Sequence, residues 1–76
     1  MPIYFYWQQV IYQASCTPEI RNGVPCFLVT FNGRERVFLS DGNGWAVLPL
    51  KDEQGRELPF ELKNRIGHAI EFYFKL

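Results

Sequence analysis

The sequence predicts an all-β fold, a small antiparallel barrel or sandwich of about five to six short strands, similar in size to SH3 or OB barrels. Short runs rich in aromatic and β-branched residues recur along the chain, and turns containing glycine separate them. Seven Phe, four Tyr and two Trp supply the bulk that a small core needs. No repeat or low-complexity tract divides the chain, so residues 1–76 are expected to form one domain.

The first strand is predicted over residues 3–13, where apolar side chains begin in strict alternation. The alternation loses its phase at Gln8-Gln9, where we expect a bulge or a bend within the strand. Thr17-Pro18-Glu19 has the form of a helix start, and Gly23 is placed to end it. A short helical turn near residues 17–22 is therefore expected before the next strand.

The clearest local signal is Asn32-Gly33, because this pair tolerates the positive φ that a type I′ hairpin turn requires at both positions. The turn sets the register of the two flanking strands, residues 27–31 and 34–39. One face then carries a mixed set of aromatic and basic side chains: Phe27, Val29, Phe31, Arg34, Arg36 and Phe38. The opposite face, which we predict to be the core, carries Cys26, Leu28, Val37 and Leu39.

A second hairpin is predicted around Asp52-Glu53-Gln54-Gly55, with Gly55 closing the turn in the left-handed conformation. This register pairs Leu50 with Leu58 and Lys51 with Glu57. Pro49 and Pro59 then lie opposite each other, and their missing N–H groups interrupt the outer edge of the hairpin.

The C-terminal segment from Ile66 to Leu76 alternates between apolar and other residues, which predicts a last strand that pairs with the first and closes a barrel. A helix from Phe60 to Ala69 is the alternative, and Asn64 and Gly67 weaken it because both disfavour helix interiors.

The sequence contains no catalytic constellation of nucleophile, base and orienting group, so we expect no enzymatic activity. His68, the single histidine, falls on the apolar face of the predicted last strand, where a structural role is favoured. Cys26 is expected in the core, and Cys16 in a loop with no neighbour that would lower its pKa. Asp41-Gly42-Asn43-Gly44 lacks the further ligands of a calcium loop, and neither a metal nor another cofactor is expected.

The mixed face of the Asn32-Gly33 hairpin is the first candidate binding surface. If nothing covers it, its aromatic rings and arginines can bind a partner; if a second layer covers it, the rings are core and the arginines reach the rim. The residues concerned are Phe27, Phe31, Arg34, Arg36 and Phe38. Tyrosine and tryptophan are enriched at interface hot spots, which suggests a second patch. It consists of Tyr4, Tyr6, Trp45 and Tyr73, although these side chains could instead wrap a small barrel.

We expect a non-enzymatic module that binds another protein, as an accessory subunit or as a stand-alone inhibitor of the kind that phages and mobile elements encode. One alternative is a barrel that binds single-stranded nucleic acid, with phenylalanines stacking on bases. Eight basic and eight acidic residues leave no net charge, which disfavours nucleic acid. Another alternative is a homo-oligomeric structural protein, such as a homodimer. The N-terminal run lacks a basic leader and no run approaches the ~20 residues of a membrane span, so a cytoplasmic location without membrane contact is expected.

Overall fold

Five antiparallel strands and one C-terminal helix make up the computed structural model, which describes all 76 residues. The elements are β1 (Pro2–Trp7), β2 (Val10–Arg21), β3 (Val24–Phe31), β4 (Arg34–Ser40), β5 (Trp45–Leu48) and α1 (Phe60–Phe74). Strands that follow each other in the chain lie side by side, in the order β1-β2-β3-β4-β5. Because β1 and β5 are not paired with each other, the sheet is open. The expected antiparallel β structure is confirmed, but the barrel is not formed.

Two-residue turns join the first four strands. Both residues of each turn, Gln8-Gln9, Asn22-Gly23 and Asn32-Gly33, have positive φ, between 51° and 77°. This geometry matches the right-handed twist of the strands that flank it. Gln8-Gln9 therefore reverses the chain where a bulge was expected. The helical turn predicted near residues 17–22 is wrong, because β2 runs through this segment and pairs with β3 along it.

The predicted register of the Asn32-Gly33 hairpin is confirmed. The pairs are Phe27 with Phe38, Leu28 with Val37, Val29 with Arg36, Thr30 with Glu35 and Phe31 with Arg34. Of the second predicted hairpin, only the bridge between Lys51 and Glu57 forms. The chain cannot continue as a strand beyond it, because Pro59 immediately precedes the helix.

Helix α1 occupies most of the segment for which a strand was predicted. Leu62, Ile66, Ala69 and Ile70 are buried along one side of it, at the spacing of an amphipathic helix. This same segment also alternates with period two, so the sequence pattern alone did not distinguish the two structures. The helix ends at Lys75, whose φ of 57° places it in the left-handed region. It is too short and too polar to cross a membrane.

The core lies between α1 and one face of the sheet, with the helix packed against β1 and β5. The covered face carries the large rings of Phe5, Phe31 and Phe38, so the mixed face of the β3–β4 hairpin is core. The face that we predicted to be core is the uncovered one. Covering the aromatic face buries the larger apolar area, which accounts for the choice.

Candidate interaction site

Helix α1 covers most of the aromatic residues that the sequence singled out for binding. Phe31, Phe38 and Trp45 are buried, and Phe27 is half-buried. The centroid of the Phe27 ring lies 5.9 Å from that of the Trp45 ring and 5.0 Å from that of the Phe74 ring. The mixed face is therefore covered by a second layer, which was one of the two alternatives considered for it. Its aromatic rings pack inside the fold and offer no open surface.

The second predicted patch is not a single surface. Tyr4 and Tyr6 are 49% and 53% exposed, whereas Trp45 is buried on the covered face. The indole N–H of Trp45 donates to Oε2 of Glu71 at 2.8 Å, so its polar atom is satisfied within the fold. Tyr73 is half-buried and packs against the core from α1. Only Tyr4 and Tyr6 of these four lie together, on the side of β1 that faces away from the helix.

The side of the sheet that faces away from α1 carries an apolar surface that no element of the chain covers. Leu28, Val37 and Leu48 lie in one cross-strand row, and Leu39 and Ala46 form the next. All of these side chains except Ala46 line a hollow of about 780 Å³, together with Cys26 and Val24. We call this surface the uncovered face. Most of these side chains were predicted to be core, because nothing in the sequence pattern reveals which side of the sheet the helix covers.

A second cavity, which we call the arginine cleft, lies between the start of β4 and the loop after β5. Its volume is about 750 Å³, and its lining consists of Asn32, Gly33, Arg34, Glu35, Arg36, Pro49, Lys51, Asp52 and Glu53. Arg34 is partly exposed and lies 3.8 Å from the Asp52 carboxylate, while Arg36 is buried. These two arginines were predicted as partner-binding residues, and the cleft is where the structure brings them together.

Asp52 organises the loop wall of the arginine cleft. Its Oδ1 accepts hydrogen bonds from the backbone N–H groups of Gln54 and Arg56, both at 2.9 Å. The bond from the Arg56 amide is the main reason that the pKa of Asp52 lies below its usual range. The bond from the Gln54 amide and the charges of Arg56 and Arg34 act in the same direction. Asp52 is therefore a fixed carboxylate that is already occupied by donors of its own chain.

The residues with reactive side chains lie apart from both cavities or are shielded. Cys16 was expected in a loop but is fully buried in β2. Burial raises the pKa of its thiol to about 11, and the N-terminal charge lowers it by a smaller amount. Cys26 is also a free, buried thiol, but on the uncovered side of the sheet. His68 is exposed on α1, because the predicted last strand is a helix. No three His, Cys, Asp or Glu side chains are grouped as metal ligands.

Comparison with protein-family models, with curated proteins and with solved structures gives no match to this chain. The functional proposal therefore rests on the geometry of the uncovered face and of the arginine cleft.

Proposed function

We propose that the protein is a non-enzymatic module that binds another protein on the uncovered face of its sheet. The observation that carries the proposal is the pair of apolar rows on the side away from the helix, Leu28–Val37–Leu48 and Leu39–Ala46. All of these residues except Ala46 line a hollow. A continuous apolar surface of this kind on a folded domain is typical of a site of macromolecular interaction.

The chemistry of the uncovered face favours an amphipathic helix of the partner. Such a helix, α1, already covers the other side of the same sheet. Among the charged side chains of this surface, Glu19 is paired with Arg21 at 2.9 Å, whereas Glu35 makes no ion pair. We therefore expect the partner helix to carry a basic residue beside its apolar stripe, where it can face Glu35.

Binding of single-stranded nucleic acid has less support. The phenylalanines that would stack on bases are buried or half-buried under α1. The exposed rings of Tyr4 and Tyr6 are on β1, three strands away from Arg34 and Arg36 on β4. A stacking platform works together with cations that follow the same strand of nucleic acid, and here the two lie apart.

Self-association is a second candidate, and the free edge of β1 favours it. No charged side chain precedes Glu19, so this edge lacks the lysines and other charges that usually protect an exposed strand. The opposite edge, β5, has only four residues and is followed by Pro49, which cannot donate to a neighbouring strand. Pairing through β1 would therefore join two copies and then stop.

The experiment that tests binding on the uncovered face compares three tagged proteins as baits in a lysate of the native host. The baits are the wild type, Val37→Lys on the uncovered face and Phe72→Lys on the outside of α1. Phe72 is 77% exposed, so its replacement is a control for adding a lysine at an apolar surface position. Thermal unfolding establishes that each variant is folded.

We expect the wild type and Phe72→Lys to retain the same protein, and Val37→Lys to lose it. Retention by all three baits would show that the surface is misplaced. Loss of the retained material after nuclease treatment would overturn protein binding itself. Hydrogen exchange of the purified wild-type complex gives an independent check, because protection should appear in β3 and β4 whether or not Val37→Lys folds.

A further inference from the structure

Arg36 is the one charged side chain among the buried residues of the protein. Only 9% of its surface is exposed, and it lies on the covered side of β4, opposite Val29. Its neighbours around a small enclosed space include Phe38, Leu58 and Ile66, which offer no hydrogen-bonding side chain. A guanidinium stays charged at physiological pH, so its burial costs free energy unless an anion or water compensates it.

No side chain of the protein supplies that anion. Arg36 takes part in none of the ion pairs and in none of the side-chain hydrogen bonds. Asp52, which lines the same cleft, is instead paired with Arg34 and Arg56. Every buried side-chain nitrogen or oxygen has a hydrogen-bond partner, so the unpaired guanidinium is in contact with solvent. The arginine cleft is the polar space that it lines.

The backbone adds a donor to this cleft. Strand β5 pairs with β4 only as far as Val37, so the edge of β4 at residues 34–36 has no neighbouring strand. Phe31 and Arg34 close a two-residue turn and form a hydrogen-bonded pair, and from there hydrogen-bonded and non-hydrogen-bonded residue pairs alternate along the two strands. By this alternation the N–H of Glu35 points away from β3, towards the free edge and the loop that faces it.

The charges of the cleft indicate a ligand with one negative charge. Arg34, Arg36 and Lys51 are balanced in number by Glu35, Asp52 and Glu53. Asp52 already neutralises Arg34 in part, so Arg36 and Lys51 are the cations of the cleft that make no ion pair. A ligand with two negative charges, such as a phosphate group, would meet stronger repulsion from the three carboxylates, and of the two unpaired cations only Arg36 is buried, whereas Lys51 is exposed to solvent.

We propose that the arginine cleft binds a carboxylate group. The guanidinium of Arg36 donates two parallel hydrogen bonds to it, as arginine and carboxylate planes allow, and the Glu35 amide is placed to assist. Arg34 and Lys51 lie at the rim and attract the anion. None of the residues in the apolar rows lines this site, although the two cavities share Glu35, Arg36 and Pro49. The proposal does not depend on the proposed function.

The test observes the Nε–Hε resonances of the arginines in the ¹⁵N-labelled wild-type protein during titration. The ligands are sodium acetate, the peptide acetyl-Gly-Asp-Gly-amide, its neutral Asn counterpart, and phosphate, all at an ionic strength held constant with chloride. We expect acetate and the Asp peptide to shift the Arg36 resonance in a saturable manner. The Asn peptide should bind at least about tenfold more weakly, because it offers no charge-assisted hydrogen bond.

The two carboxylate ligands distinguish the source of the group. An Asp peptide that binds much more tightly than acetate assigns the site to an acidic protein segment, and equal binding assigns it to a small organic acid. An Arg36 resonance that stays unchanged with both, or a phosphate affinity higher than that of acetate, would overturn the proposal.

Arg36→Met gives an independent test, because methionine retains an apolar stem but carries no charge. We expect this variant to lose carboxylate binding while its melting temperature is unchanged or higher, since Arg36 makes no ion pair and no side-chain hydrogen bond whose loss would destabilise the fold. Arg65→Met, at an exposed position of α1, is the matched control and should bind as the wild type does. Carboxylate binding by Arg36→Met at wild-type strength would contradict the proposal. If this variant does not fold, the titration of the wild type is the deciding test.

Discussion

The indole of Trp45 lies against Gly67 of α1, so close that a Cβ at residue 67 would be 2.7 Å from the indole Cγ. One turn further along the helix, Glu71 accepts the hydrogen bond from the same indole at 2.8 Å. Trp45 is the first residue of β5, and it is held between the glycine and the carboxylate. This contact therefore holds α1 in position on the covered side of the sheet.

Gly67→Ala should destabilise the protein although alanine is the better helix former. The added methyl group overlaps an indole that is buried and hydrogen-bonded, and overpacking of this kind costs about 1–3 kcal/mol. The gain in helix propensity returns about 1 kcal/mol. We expect a net loss of up to about 2 kcal/mol in the free energy of unfolding, measured by urea denaturation.

His68→Ala is the matched control for this prediction, because residue 68 is the next position of the helix and is exposed. Its stability should equal or slightly exceed that of the wild type. If Gly67→Ala proved as stable as His68→Ala, the close contact between Trp45 and residue 67 would be refuted.

The parts of the fold that the sequence predicted are those set by local chemistry. Asn32-Gly33 dictated a turn and with it the register of β3 and β4, because the pair tolerates positive φ. Gln8-Gln9 adopts the same geometry without this preference, and the pairing of β1 with β2 imposes it. Helix α1 was missed because its apolar residues satisfy both periods, and its contact with the sheet decides between them.

The candidate site was predicted only in part, for a related reason. Arg34 and Arg36 were singled out, and they line a cavity together. Their aromatic neighbours Phe31 and Phe38 are buried because α1 takes the side of the sheet that carries them. Both sides of the β3–β4 hairpin are apolar enough to be core, so the assignment depends on an element of the chain whose structure was itself mispredicted.

The burial of Cys16 predicts a loss of stability at alkaline pH. Its pKa in the folded protein is about 11, against 9.0 for an unperturbed thiol, so the folded state holds the proton more tightly. The stabilisation is complete below pH 9 and is lost as the pH rises towards 11. The loss is at most about 2–3 kcal/mol. Urea denaturation at both pH values should show a larger decrease for the wild type than for Cys16→Ala, and an equal decrease would contradict the shifted pKa.

The hydrogen bonds to Asp52 predict a loss of stability at acid pH. Its pKa is lowered in the folded protein, first by the Arg56 amide and then by the Gln54 amide. Its contribution is therefore present above the unfolded pKa of about 3.9 and is lost as the pH falls through the folded value. Asp52→Asn should show a lower melting temperature at neutral pH and a smaller decrease on acidification. Glu53→Gln, beside it in the loop, should retain the wild-type decrease, and identical acid profiles for Asp52→Asn and the wild type would exclude this role.

The free edge of β1 predicts a specific dimer if the protein self-associates. Trp7 and Val10 close the first two-residue turn, so by alternation the N–H and C=O groups of Tyr4 and Tyr6 point away from β2. A two-fold axis through Phe5 would set Tyr4 of one copy opposite Tyr6 of the other and would satisfy all four groups of each strand. Dimerisation should then be concentration-dependent in sedimentation equilibrium.

Two lysines in place of these tyrosines would set like charges opposite each other across the two-fold axis, which opposes strand pairing. The double variant Tyr4→Lys with Tyr6→Lys should therefore be monomeric at concentrations where the wild type is dimeric. Both side chains are about half-exposed, so the double variant should retain the fold. Phe72→Lys, on α1, should dimerise as the wild type does. A wild type that stays monomeric at high concentration, or a double variant that still dimerises, would remove the β1 edge as the site of self-association.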